Sequence, residues 1–175
     1  MTTTNSTDGQ IDTDRIWAGI ATERRRLADE LEGLTESQWT TPSQCAAWTV
    51  EEVAAHLIVP FEISTPKFVV AMIRHRGNLD RVILAMTAKV VARTTRAERI
   101  AKLRANAENP WRPPRLGPEI PLSEIVVHGQ DIRRPLGLEC PVPAETIDLA
   151  LRAIDDDEVR ADYAGRIGVV DPISR

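Results

Sequence analysis

Leu122-Ser-Glu-Ile-Val-Val-His-Gly-Gln-Asp-Ile-Arg-Arg-Pro-Leu-Gly137 is the stretch that decides the fold. It reads as a helix from Leu122 to about Leu136, with Gly137 placed to end it. Glu124, His128 and Asp131 then stand at i, i+4 and i+7, and steps of three and four return to one helical face. Ile125 and Ile132 flank that stripe, so it faces inward. A carboxylate, an imidazole and a second carboxylate on an inward face are costly unless they find partners or a metal. Neutral imidazole and carboxylate oxygen are good ligands for zinc and related divalent ions. The same spacing also suits a plain hydrogen-bonded Glu–His pair, so both readings stand on this segment alone.

Working outward, helix signals dominate. Ile16, Ile20, Leu27, Leu31 and Leu34 recur at helical spacing between Asp12 and Leu34. Thr35 to Trp48 reads as loop with room for one helical turn. Thr49 and Glu52 have capping-box spacing, and Trp48 and Val53 occupy the two positions of a hydrophobic staple. His56 therefore falls two turns inside a well-started helix, in the apolar context Val53-Ala-Ala-His-Leu57. Two helices that each present an inward histidine, one with a carboxylate beside it, are how metal sites in helix bundles are built. Pro60 and Pro66 should kink or interrupt the chain beyond. Leu79 to Ala92 is another helix, and Thr95 with Glu98 starts one more, ending near Asn109. Asn109 to Pro121 holds five prolines and is expected to be an extended connection. Pro143 should open a last helix through Val159. Sustained strand alternation is absent. The expectation is an all-α bundle over residues 12–160, with a disordered tail at 1–11 and a short C-terminal tail at 161–175.

Composition narrows the function classes. The 175 residues contain 42% hydrophobic and 27% charged side chains, with a formal net charge of −4. That balance is ordinary for a globular domain and gives no basic footprint for nucleic acid. Arg24, Arg25 and Arg26 have acids nearby and are read as a solvated helix face. Cys45 and Cys140 form no C-x-x-C pair, so neither a zinc knuckle nor a thioredoxin-type motif is present. No apolar run reaches bilayer length and no signal peptide is visible, so the protein is read as cytoplasmic, without a membrane partner. His75 lies beyond the proline breaks and reads as a surface residue, and Cys45 as an inert loop thiol. Trp39, Trp48 and Trp111 read first as core or loop anchors.

The segments Cys45-Ala-Ala-Trp48-Thr-Val-Glu-Glu-Val-Ala-Ala-His56 and Glu124-Ile-Val-Val-His128-Gly-Gln-Asp131-Ile-Arg-Arg-Pro-Leu-Gly137 resemble the DinB-like superfamily. Within it, they are most similar to the metal-binding domain of mycothiol-dependent maleylpyruvate isomerases. The resemblance runs over most of the chain, from about Asp12 to Val159. It implies a DinB-like four-helix bundle, here with a long Pro-rich crossover connection. It also implies a divalent metal, usually zinc, on His56, Glu124 and His128, and mycothiol as a thiol cofactor bound at the metal. Asp131 would hold a ligand imidazole from behind, or pair with Arg133 or Arg134. Arg81 is the position assigned to the substrate arginine, and Trp111 and Arg115 are expected to line the mouth of the site. The isomerases add a further C-terminal domain, whereas only a short tail is expected here after the last helix.

Three functions follow. The first is a metal- and mycothiol-dependent enzyme acting on a small electrophile, by thiol S-transfer or thiol-assisted isomerisation. Three protein ligands leave one position of zinc open, as in catalytic sites. The second is a non-enzymatic metal- and thiol-binding stress-response module. The third is a bundle whose His–Glu–His cluster is only a structural polar network. The expected partners are a low-molecular-weight thiol and a small substrate, and a homodimer is compatible with the sequence.

Overall fold

Reciprocal capping boxes start three of the helices. At Thr49 the hydroxyl accepts the backbone N–H of Glu52, while the Glu52 carboxylate accepts the N–H of Thr49 at 2.8 Å. The same reciprocal pair forms between Thr95 and Glu98, and between Thr35 and Gln38. Each box satisfies backbone donors that the first helical turn leaves free. The computed structural model describes residues 5–45, 48–139, 142–152, 154 and 157–167.

The chain is all-α. The helices are α1 (Asn5–Glu32), α2 (Glu36–Trp39), α3 (Val50–Glu62), α4 (Thr65–Arg74), α5 (Leu79–Arg93), α6 (Arg96–Ala105), α7 (Glu119–Arg133), α8 (Ala144–Leu151) and α9 (Asp157–Ile167). A 3-10 turn, Arg134–Leu136, extends α7, and Gly137 ends it in the left-handed conformation with φ 65°. Among the described residues there is no strand, only an isolated bridge between Pro42 and Thr49. No single helix there is long and apolar enough to cross a membrane.

Packing centres on α3 and α7. Helix α3 lies against α5, α6 and α7, and α7 also meets α1, α8 and α9. Ile20, Leu27 and Leu31 of α1, Val53 and Ile58 of α3, and Leu122, Val126 and Ile132 of α7 share one buried core. Both helices expected to carry the site are thus held side by side from within.

Several sequence expectations change. Helix α1 begins at Asn5, inside the segment expected as a tail; residues 1–4 lie outside the described residues. Helix α3 runs through Pro60 to Glu62, and the turn comes after it, where α4 leaves at 117° with Pro66 in its first turn. Helix α6 stops at Ala105 rather than near Asn109. Buried Arg24 donates there to the carbonyls of Asn106, Ala107 and Asn109, taking over acceptors that a longer helix would have used. That corrects the reading of Arg24 as solvated; Arg25 remains exposed, paired with Glu108. Pro121 sits in the first turn of α7, where no intrahelical N–H is needed, so the connection ends at Pro118 rather than Pro121. The last expected helix is two, α8 and α9. Between them Arg160 donates to the carbonyl of Ile154, a side-chain substitute for the helical ladder. Helix α9 continues beyond residue 160, into the expected C-terminal tail.

A buried ion cluster ties α1 to α7. Arg133 is fully buried, with Nε 2.7 Å from Glu30 Oε2 and Nη2 3.4 Å from Glu23 Oε2. Burial pushes the Glu23 carboxyl up, and the charges of Arg133 and Arg26 only partly offset that. The cluster fixes the register of α7 against α1, and with it the direction of the α7 polar stripe.

Candidate metal centre

Helix α3 delivers His56 and helix α7 delivers Glu124 and His128 to one point. His56 Nε2 is 3.1 Å from Glu124 Oε2, and His128 Nε2 is 3.4 Å from the same oxygen. One donor atom from each of the three side chains lies within 4.8 Å of the others. The imidazole centroids are 4.9 Å apart and nearly edge-to-face. His128 is buried and His56 is nearly so, whereas 41% of the Glu124 side chain is open to solvent. The cluster is therefore closed on the histidine side and open at the carboxylate.

Asp131 stands behind His128. Its Oδ2 lies 2.9 Å from His128 Nδ1, and the residue is fully buried. Of the two roles left open for Asp131, the geometry supplies the contact to the imidazole. The equivalent nitrogen of His56, Nδ1, is buried without a hydrogen-bond partner. His128 is thus the pre-oriented ring and His56 the less constrained one.

The electrostatics follow from this arrangement. Burial pushes the Glu124 carboxyl up, but the hydrogen bonds and charges of His128 and His56 outweigh it and hold the group well below the usual carboxylate range. Burial lowers His128, yet its bonds to Asp131 and Glu124 prevail and push it up to about 9. At neutral pH, with nothing else bound, a proton sits on His128 between two carboxylates. A divalent cation competes for the same place, because it binds the neutral imidazole and both carboxylates favour positive charge there. Two imidazole nitrogens and one carboxylate oxygen, with a carboxylate behind one ring, form a donor set that fits zinc.

The loop before α3 closes one side. Ser43 Oγ donates to the carbonyl of Trp48, and the Gln44 N–H donates to the carbonyl of Asp131 at 3.0 Å. This brings the Trp48 ring to 4.9 Å from His56 and 6.3 Å from His128. Cys45 comes within 4.8 Å of donor atoms on His128 and Asp131. From the sequence, Trp48 reads as an anchor and Cys45 as an inert loop thiol, yet both come to lie beside the cluster. The signal that placed them was their position just before the Thr49 cap.

Residues 20–68 match the family model described as the mycothiol maleylpyruvate isomerase N-terminal domain. The matched segment takes in the C-terminal part of α1, all of α2 and α3, and the first residues of α4. It includes Trp48 and His56 but stops well short of Glu124, His128 and Asp131, whose grouping rests on the geometry. No curated protein and no solved structure matches the chain.

The remaining expected site residues are not brought into the cluster. Arg81 is exposed in the first turn of α5, where its backbone N–H bonds Asn78 Oδ1. Trp111 and Arg115 are exposed in the connection before α7. None of the three makes a hydrogen bond, ion pair or ring contact with His56, Glu124 or His128 among the described residues. His75 caps the end of α4, outside both donor groups. Cys140 lies outside the described residues.

Proposed function

We propose that the protein is a cytoplasmic, metal- and thiol-dependent enzyme, with mycothiol as the thiol and a small electrophile as substrate. The reaction class is S-transfer to the electrophile or a thiol-assisted isomerisation. The observation that carries the reading is the convergence of His56 Nε2, Glu124 Oε2 and His128 Nε2 beside a solvent-open carboxylate. The family match over residues 20–68 supports the choice of thiol.

His56, Glu124 and His128 would hold the ion. A divalent ion there supplies an open coordination position at which a thiol loses its proton near neutral pH. The chain's own groups supply the rest. Asp131 accepts the Nδ1 proton of His128, which fixes the tautomer and leaves the Nε2 lone pair aimed at the cluster. Trp48 covers the imidazole rings and keeps water from that side. Ligands enter past Glu124, the exposed member of the set.

A thiol titration of cobalt-substituted protein tests this. Mycothiol should add a sulfur-to-cobalt charge-transfer band in the wild type and none in His128→Ala. Turnover of an electrophile panel should then require both metal and thiol. A band without turnover would favour the binding-module reading, and no band would remove the thiol from the proposal.

A further inference from the structure

Helix α4 is exposed along most of its length yet among the more apolar helices in sequence. It carries no buried residue. Val69, Val70 and Ile73 are 49%, 64% and 74% exposed, and they share one side of the helix at i, i+1 and i+4. Of the eight large hydrophobic residues exposed among the described residues, six lie in α4 and α5. An apolar surface of this kind marks an interaction site.

The charge of this region is opposite to that of the chain. Residues 64–93 contain six cations, Lys67, Arg74, Arg76, Arg81, Lys89 and Arg93, against the single carboxylate of Asp80, in a chain of net charge −4. All six cations are exposed, and none makes an ion pair among the described residues. Many arginines elsewhere are paired, as Arg25 is with Glu108, Arg99 with Glu51 and Arg104 with Asp29 and Glu32. Lys67 and Arg74 stand at i and i+7, a basic stripe along the edge of the Val69–Val70–Ile73 side.

We infer that the α4 face docks on an anionic bilayer surface, with Val69, Val70 and Ile73 entering the boundary between headgroups and acyl chains and Lys67 and Arg74 meeting the lipid anions. Apolar side chains rimmed by Lys and Arg on one short helix are the pattern of interfacial binding. The apolar residues stand exposed together on one short helix, which suits a soft lipid boundary. A second copy of the chain is disfavoured, because a twofold contact would set the same unpaired cations opposite one another. The inference is independent of the metal reading, since α4 contributes no residue to that site.

Vesicle co-sedimentation of the full chain, with phosphatidylcholine alone and with phosphatidylcholine mixed with phosphatidylserine, tests it. Binding should require phosphatidylserine and weaken as salt is raised. Replacing both cations, Lys67→Gln with Arg74→Gln, should lower partitioning by roughly twenty-fivefold, about fivefold for each cation removed. Ile73→Asp should lower it by about tenfold or more, because a charge would enter the apolar boundary. All three positions are exposed, and an unchanged helical circular dichroism spectrum confirms the fold. Three results would overturn the inference: no sedimentation with anionic vesicles at low salt, equal binding to both vesicle types, or binding that neither variant changes. Sedimentation velocity adds a fourth, a wild-type dimer that Ile73→Asp dissociates, which would assign the face to a second copy.

Discussion

His128 Nδ1 lies 2.9 Å from the carboxylate of Asp131, one turn further along the same helix. That contact decides which nitrogen of His128 is free. With Nδ1 engaged, only Nε2 is left to face Glu124 and His56. Asp131 is fully buried, so solvent does not compete for the bond. The pair therefore sets the direction of the site as well as its charge.

The first prediction separates the ligands from this support. His56→Ala and His128→Ala should each lose most bound divalent metal. Asp131→Asn should still bind, about 10–100-fold more weakly, as expected when the group behind a ligand imidazole is changed. Metal content after dialysis and isothermal titration with zinc give the comparison. Equal metal content in the wild type and both histidine variants would end the metal assignment.

The second uses Trp48 as a reporter. Its ring is 4.9 Å from His56, so filling the site should change its surroundings. Zinc should alter tryptophan fluorescence in the wild type and leave Trp48→Phe unchanged, although that variant still binds zinc by calorimetry. An undiminished fluorescence change in Trp48→Phe would place the ion away from this ring.

The third concerns Gly129. A Cβ there would stand 2.9 Å from Arg133 Nη1, in space the guanidinium needs to reach Glu23 and Glu30. Helix propensity alone predicts that Gly129→Ala stabilises α7 by about 1 kcal/mol. Disturbing a buried, paired charge opposes that gain, since breaking such a pair costs roughly 3–5 kcal/mol. Net destabilisation of up to about 2–4 kcal/mol is expected in urea unfolding. A Gly129→Ala protein more stable than the wild type would show that Arg133 moves aside freely.

The fourth is a pH dependence. Burial pushes Glu51 up, but hydrogen bonds from Arg96 and Arg99 outweigh it and leave the carboxyl below its usual range. A carboxyl lowered on folding contributes stability that is complete above its unfolded pKa, about 4.3. That contribution disappears as pH falls through the lower folded value. The wild type should therefore exceed Glu51→Gln in stability at pH 6, and the gap should start to narrow below about pH 4 and vanish only below the depressed folded pKa. Urea midpoints at the two pH values measure it. A gap of constant size would mean that Glu51 acts through packing and not through its charge.

What could be read from the sequence is what depends on near neighbours. The Thr49–Glu52 and Thr95–Glu98 boxes and the Gly137 stop are set within a few residues. So is the i, i+4, i+7 stripe of Glu124, His128 and Asp131, because helical geometry alone places those side chains on one face. The tertiary structure decided what depends on distant partners. His56 and Glu124 are 68 positions apart, and only the packing of α3 on α7 brings them to 3.1 Å. Arg24 looked like one more exposed arginine until the end of α6 folded back to offer its carbonyls. Arg133 reached for Glu23, 110 positions earlier, rather than for solvent. A buried charge is stable only where a partner arrives to meet it, and chain position does not say which distant segment will arrive.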